Sequence, residues 1–225
     1  MKKKSPLSFL KRSNKKTIPK LVSGFTLVEL LVTISIFVII TGVVLFNSKN
    51  FDNTVLLRDF TYDVALTIKQ AQSYGVNVKE SSLSTFDSSY GVYFDLNQIA
   101  TNFVLFNDLG NGIGGDPDKI YNNIDSVKSC PIDNPECIQK YSMKNGTHIQ
   151  SMCAGSDETD CDGLGATNRL SILFQRPRLN ALIYKIKDDG QISTAQSYAK
   201  IILSSVDGIT STVVITSEGQ IYVKK

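Results

Sequence analysis

The chain has 225 residues, of which 42% are apolar and 20% are charged. This balance is typical of a globular protein and excludes a disordered chain, and the length suits one domain with appendages. Residues 1–24 hold eight of the 24 lysines and arginines and no acid, which leaves 16 cations against 21 acids in residues 25–225. The excess of positive charge is therefore confined to the N-terminus, and the basic pI does not indicate a nucleic-acid-binding protein.

Residues 25–46 form the longest apolar stretch, with 22 residues and a single charge, Glu29. As a helix it would rise about 33 Å, enough to cross the hydrocarbon core of a bilayer. Because the basic residues cluster before it, the positive-inside rule predicts a single pass through the cytoplasmic membrane, with residues 1–24 in the cytoplasm and the rest outside.

Two other interpretations of this stretch are a secretory signal peptide and a plain membrane anchor. A signal peptide has an apolar core of about 7–15 residues and a cleavage site between small residues. Here the stretch is longer, and the Asn-Ser-Lys-Asn sequence after it offers no such site. A plain anchor remains an alternative.

Glu29 separates these interpretations, because a carboxylate within an apolar helix is costly unless it is paired, and such residues are usually functional. The sequence Ser-Gly-Phe-Thr-Leu-Val-Glu at residues 23–29 resembles the type III signal of type IV prepilins. The resemblance implies that a prepilin peptidase cuts after Gly24 on the cytoplasmic side and methylates the new N-terminus, Phe25. It also implies further partners, namely other pilin or pseudopilin subunits, an inner-membrane assembly platform and, before assembly, membrane lipid.

Cleavage would place an α-amine on Phe25, at the same end of the helix as Glu29. In a bundle of such helices, the amine of one subunit can neutralise the glutamate of its neighbour and remove an unpaired charge from apolar surroundings. Glu29 is thus predicted to set the register of assembly.

Beyond the membrane segment, an amphipathic pattern predicts that the helix continues through residues 47–75. Its apolar face is predicted at mainly three- and four-residue steps, with Gly75 as the stop: Phe51, Val55, Phe60, Val64, Ile68 and Ala71. Residues 76–225 contain seven short β-branched and aromatic runs, beginning at residues 90, 103, 170, 181, 200, 212 and 221. The predicted fold class is α+β, with a long N-terminal helix packed on an antiparallel β-sheet head, as in pilins.

The order of these parts also resembles the GspH/FimT family of minor pseudopilins and minor pilins. The resemblance is carried by residues 56–74, the Ser-Tyr-Gly-Val-Tyr-Phe sequence at residues 89–94 and the C-terminal hairpin. Residues 108–168 depart from it as a long insert rich in Gly, Asp, Asn and Cys. The implied function is a minor pilin or pseudopilin in an extracellular or periplasmic filament, either a type IV pilus or a type II secretion-like filament.

The four cysteines, Cys130, Cys137, Cys153 and Cys161, fall in this insert. Their even number and clustering indicate disulfides and an extracytoplasmic location, the alternative being four unpaired thiols. Of three possible connectivities, the pairs Cys130–Cys137 and Cys153–Cys161 are predicted because each closes a short loop at low entropic cost.

Two acidic loops of the insert are candidate metal sites. Asp108, Asn111, Asp116 and Asp118 offer the hard oxygen ligands that Ca²⁺ prefers, although the spacing is not that of an EF-hand. The alternative is a solvated turn. Residues 157–162 are interpreted as a charged surface turn, and no other cofactor is predicted.

Catalysis has little support, because the single histidine, His148, has no nucleophile motif beside it. An enzyme is therefore not predicted, and a membrane-anchored extracytoplasmic binding protein is an alternative. A DNA-binding minor pilin of a DNA-uptake system is a further alternative, disfavoured by the negative charge of the head. It would use the available cations: Arg176, Arg178, Lys185, Lys187, Lys224 and Lys225.

Overall fold

The computed structural model describes residues 24–77, 89–98, 100–109, 117–122, 130, 134–161 and 166–224, apart from the side chains of residues 46–52. The chain divides into two compact units, Met1–Phe46 and Asn47–Lys225. The α+β class predicted from the sequence is confirmed, but the β part consists of two antiparallel sheets instead of one.

A single 50-residue helix, α1 (Leu27–Val76), follows three non-helical residues. Its bounds lie within two residues of those predicted. The segment Leu27–Leu45 is long and apolar enough to cross a membrane, and none of it is buried within the protein. In the described part of the first unit, therefore, the apolar side chains do not enter a protein core.

In the second unit, one face of α1 is buried in the core. Leu57, Val64, Ile68 and Ala71 are almost fully buried and recur at steps of three, four and seven residues, as one face of a helix requires. The predicted member Val55 is 37% exposed, whereas Leu57, which was not predicted, is buried. The side chain of Phe51, the predicted start of the face, lies outside the described residues.

The head contains two five-stranded sheets, with strand orders β3-β2-β1-β6-β7 and β10-β9-β8-β4-β5. All pairings are antiparallel. The strands are β1 (Ser89–Asp95), β2 (Asn102–Asp108), β3 (Cys137–Ser142), β4 (His148–Gly155), β5 (Ala166–Thr167), β6 (Arg169–Phe174), β7 (Ala181–Lys185), β8 (Tyr198–Ser204), β9 (Thr210–Thr216) and β10 (Ile221–Lys224). A four-residue helix, α2 (Glu158–Cys161), follows β4.

The main core of the second unit lies where α1 and the inner faces of both sheets meet. Side chains from β1 and β6 (Phe94, Phe174) and from β8 and β9 (Ile201, Val213) join those of the helix. A smaller cluster covers the other face of the first sheet, where Tyr121 from the insert packs on Tyr93 and Phe106. The insert thus contributes to the packing of the head.

Gly75, predicted as the helix stop, lies inside the last turn of α1 and is buried. A Cβ atom at this position would overlap the main-chain carbonyl of Phe174. Glycine is therefore required at this position because the backbones of α1 and β6 nearly touch where the two elements cross, and not because the chain turns there.

Candidate functional site

The start of α1 carries a capping arrangement. Thr26 precedes the helix, and its Oγ1 accepts a hydrogen bond from the main-chain N–H of Glu29 at 3.2 Å. Its carbonyl accepts the first helical bond, from the N–H of Leu30 at 3.1 Å. Sequence reasoning missed Thr26, although the Thr-x-x-Glu spacing is that of a capping box and could have identified it. The Glu29 carboxylate in the first turn also complements the positive end of the helix dipole.

Glu29 differs from every other polar residue of the membrane-length segment. The hydroxyls of Thr33, Ser35 and Thr41 donate to carbonyls of the same helix at 2.6–3.1 Å. The Glu29 carboxylate has no such partner among residues 24–77 or elsewhere in the described head. A carboxylate in such a segment is costly in a bilayer unless it is paired, so Glu29 is a candidate for pairing with a group outside the described residues.

Gly24 and Phe25 lie in non-helical backbone directly before α1. The Phe25 side chain is 76% exposed, and no neighbouring atom lies within 4 Å of the position that a Cβ on Gly24 would occupy. Among the described residues, therefore, none covers the peptide bond between them. Residues 1–23, the remainder of the expected leader, lie outside the described residues.

The cysteines form two disulfides, Cys130–Cys137 and Cys153–Cys161. These are the pairs that the loop-closure argument favoured. The second bridge joins β4 to α2, whose Glu158 forms an ion pair with Lys224 at 2.6 Å. The bridge therefore closes a loop within the insert, and the ion pair connects this loop to the last strand.

The carboxylates at the start of the insert bind backbone amides. The two oxygens of Asp108 accept hydrogen bonds from the N–H groups of Asp118 and Lys119, each at 3.1 Å. Glu136 likewise accepts from the N–H groups of Leu109 and Asn122 at 3.2 and 3.1 Å. Burial raises the pKa of Asp108 to about 6, with Asp118 adding to the effect, and burial also raises the pKa of Glu136. These carboxylates hold residues 117–122 against the sheet.

The expected calcium ligands are only partly visible, because Asn111 and Asp116 lie outside the described residues. Asp118 accepts hydrogen bonds from the N–H of Ile120 and the side chain of Asn122. Within the described part of the chain, no group of three or more His, Cys, Asp or Glu side chains is arranged to hold a metal ion. The calcium site stays a prediction.

The second acidic loop has a structural role in capping α2. Asp157 accepts hydrogen bonds from the N–H groups of Thr159 and Asp160, at 2.9 and 3.0 Å. Hydrogen bonds from Thr159 lower the pKa of Asp157, and those from Ser156 lower the pKa of Asp160. Both carboxylates therefore accept local hydrogen bonds at the surface, around the start of α2.

The basic residues considered for nucleic acid lie in separate places. Arg176 and Arg178 line one polar groove of about 480 Å³, whereas Lys185 and Lys187 line another of about 510 Å³. Lys224 is paired with Glu158. His148 lies half-buried at the start of β4, with Nδ1 3.0 Å from the carbonyl oxygen of Gly146.

These features define a protein whose N-terminal apolar helix fits a membrane anchor and carries one unpartnered carboxylate near its start. Residues 19–45 match the family model of the prokaryotic N-terminal methylation motif, which spans the expected cut site, Glu29 and the apolar helix. The match supports a type IV pilin-like prepilin, as the sequence predicted, and it favours a structural subunit over an enzyme. No curated protein and no solved structure matches the chain. The resemblance of the head to the GspH/FimT family stays a prediction.

Proposed function

We propose that this protein is a minor pilin or pseudopilin that a prepilin peptidase cuts between Gly24 and Phe25 and that then assembles into a filament. The observation that carries the proposal is the Glu29 carboxylate, which has no partner within the described residues, whereas the neighbouring hydroxyls are satisfied by their own helix. The amine of Phe25 on an adjacent subunit is a partner of the right charge.

The proposed topology follows from the charge of the leader. Residues 1–24 lie in the cytoplasm, the apolar helix crosses the cytoplasmic membrane, and the head lies outside it. An oxidising compartment is consistent with the two disulfides of the head. Extraction from the bilayer by an inner-membrane platform would then deliver the subunit to the filament.

The proposal is tested by replacing Glu29 with leucine. Glu29→Leu makes the segment more apolar, so insertion should be unharmed, and the cut site four residues away should still be processed. Recovery in sheared filaments should fall strongly, because the Phe25 amine of the neighbour would lose its counter-charge. Membrane level, processing and filament recovery are measured side by side by immunoblotting.

Ser35→Leu is the matched control. It also replaces a polar side chain of the same segment by leucine, but the Ser35 hydroxyl bonds only to carbonyls of its own helix. This variant should assemble normally. Equal filament recovery for Glu29→Leu and wild type would show that the carboxylate does not direct assembly.

DNA binding by the head is a second candidate, favoured by the groove that Arg176 and Arg178 line. Neither arginine forms an ion pair with any described residue, and the groove is otherwise lined mainly by amide and hydroxyl side chains, without an acid. Guanidinium groups in such a setting suit phosphate oxygens.

Fluorescence anisotropy of labelled duplex DNA with the detergent-solubilised chain at graded salt tests this second function. Arg176→Ala and Arg178→Ala should each weaken binding and reduce its salt dependence, whereas Lys187→Ala, in the other groove, should not. Absence of binding at low salt would exclude this function and leave the assembly proposal untouched.

A further inference from the structure

Two turns at one end of the head present apolar side chains to solvent. The β8–β9 turn, residues 205–209, carries Val206 and Ile209, which are 66% and 40% exposed. The β3–β4 turn, residues 144–147, lies against it, since a Cβ atom at Gly146 would overlap the side chain of Val206. We call these two segments the turn pair. Covering exposed branched side chains on both sides of an Asp-Gly turn would remove apolar surface from water, which is favourable.

The turn pair is held rigidly in place. The N–H of Ser205 bonds to the carbonyl of Ile209 at 2.9 Å, and the N–H of Gly208 bonds to the carbonyl of Ser205 at 3.1 Å. Gly208 has a φ of +77°, which its lack of a Cβ permits. Val206 and Ile209 are therefore displayed in a fixed arrangement, which lowers the entropic cost of burying them against a surface.

A hydrogen bond fixes this turn pair to the first residues of the head. Asn53 of α1 donates to the carboxylate of Asp207 at 2.6 Å. Asn53 follows Leu45, the last residue of the membrane-length segment, by eight positions. Eight residues span at most about 28 Å even when fully extended, so the chain allows the turn pair to reach the surface of a bilayer that holds the segment.

We propose that the turn pair docks on the extracytoplasmic surface of the bilayer before assembly, with Val206 and Ile209 inserted among the lipid headgroups. This inference rests on the membrane insertion in the proposed function. Lys144 and Arg58, both exposed, and Asp207 give this end of the head mixed charge. Docking therefore depends on the apolar side chains and is little affected by salt or by anionic lipid.

The chain contains no tryptophan, so single tryptophan substitutions report one position each. The mature full-length protein is reconstituted into phosphatidylcholine vesicles with brominated acyl chains, which quench tryptophan at membrane depth. Val206→Trp and Ile209→Trp should show a blue shift and a large loss of fluorescence. The loss should persist in high salt and when the lipid-to-protein ratio is raised.

Leu179→Trp is the matched control. Leu179 is also apolar and 59% exposed, but its carbonyl accepts a hydrogen bond from Gln72, which lies about 28 Å along the helix from Asn53. Tryptophan at this position should not be quenched. Quenching at all three positions would mean unspecific adsorption and would overturn the proposal, as would quenching at none.

Two further reporters complete the test. Phe37→Trp, within the apolar segment, must be quenched if the helix is inserted, so its failure would contradict the proposed function itself. Quenching there without quenching at residues 206 and 209 would overturn only the docking. A blue shift at residue 206 that vanishes on dilution in lipid would indicate contact with a second copy and would also overturn it.

A last variant tests whether the native side chains bind the bilayer, as opposed to the introduced tryptophan itself. Lys144→Trp reports from the neighbouring turn while Val206 and Ile209 keep their native side chains. Adding Val206→Ser and Ile209→Ser to this reporter should reduce its quenching, and both substitutions are at exposed sites, so folding is unaffected. Unchanged quenching would show that these two side chains do not hold the head on the bilayer.

Discussion

Among the described carboxylates of the head, Asp108 has an environment that strongly opposes its charge. Its side chain is buried at the end of β2, close to Asp118 and Glu136, and burial is the main reason that its pKa rises to about 6. The two backbone N–H groups that it binds offset only part of this cost. Residues 117–122 are therefore anchored by a carboxyl group whose ionised form is disfavoured by its surroundings near neutral pH.

The stability of the head should consequently increase as the pH falls from about 7 to about 5. The folded state binds the Asp108 proton more tightly than the unfolded chain, whose pKa is near 3.8, so protonation favours folding within this range. The raised pKa of Glu136 acts in the same direction. The melting temperature of the solubilised protein, measured by circular dichroism across this range, checks the prediction.

Asp108→Asn should flatten this pH dependence, because the titrating group is removed. Asp189→Asn, at an exposed turn, should leave it unchanged, since an asparagine oxygen can still accept the bond from Gln191. A pH slope in Asp108→Asn as steep as that of the wild type would assign the effect to another group.

The proposed cut site gives a second prediction for single residues. The mature protein should begin at Phe25, with its amine methylated, and Gly24→Ala should slow or block processing because the added methyl group stands at the scissile bond. Mass spectrometry of the N-terminal peptide from the membrane fraction provides the measurement. Ser23→Ala, one residue earlier, should be processed normally, and an intact Met1 in wild-type protein would contradict the assignment.

The sequence predicted Gly24, Phe25 and Glu29 as site residues because the motif around them is compact and continuous along the chain. It did not reveal that the hydroxyls of Thr33 and Ser35 bond to their own helix while the carboxylate of Glu29 has no partner. That distinction depends on side-chain geometry. Thr26 was overlooked, although its Thr-x-x-Glu spacing to Glu29 is that of a capping box and can be recognised in the sequence.

Among the structural elements, the helix and seven strands followed from local patterns, since their apolar and β-branched runs are dense. β3, β4 and β5 were hidden in the segment interpreted as an insert. β4 lacks a β-branched or aromatic run, and a register shift between Ile149 and Ser151 interrupts its alternation. Ile149, Met152 and Ala154 therefore all lie in the core, although the strict alternation of a regular strand would not place all three on one face.

The crossing of α1 and β6 at Gly75 gives a prediction for the elements. Gly75→Ala should lower the free energy of unfolding by about 1–3 kcal/mol, because the helix must move away from the Phe174 carbonyl. Helix propensity alone would favour alanine by roughly 1 kcal/mol, so a loss of stability identifies the close approach.

Chemical denaturation of the wild type and Gly75→Ala measures this difference. Lys69→Ala, at an exposed position of the same helix, is the control and should change stability by less than about 0.5 kcal/mol. A Gly75→Ala variant that is more stable than the wild type would show that the helix does not approach β6 so closely.

At the scale of the whole molecule, the described buried core belongs entirely to the second unit. No described residue of Leu27–Leu45 is buried, whereas Leu57, Val64, Ile68 and Ala71 enter the core of the head. A fragment of residues 47–225 should therefore be soluble and unfold cooperatively. A fragment of residues 77–225 should not fold, because the core would lose one of its three sides.

Circular dichroism and thermal unfolding of the two fragments check this prediction. The longer fragment should show both helical and β signals and a single transition. Loss of cooperativity in the longer fragment would mean that the first 46 residues contribute to folding, and a cooperative transition in the shorter one would mean that α1 is dispensable.

The placement of the disulfides has a mechanical consequence. The two cysteines of each bridge are separated by only seven and eight residues. When the head is stretched from its two ends, the bridges therefore shorten the fully extended chain by only about 50 Å. The unit Asn47–Lys225 as a whole would release about 600 Å. Under tension, oxidised and reduced heads should therefore extend almost equally. The two bridges therefore hold short loops of the insert and do not limit how far the head as a whole can extend.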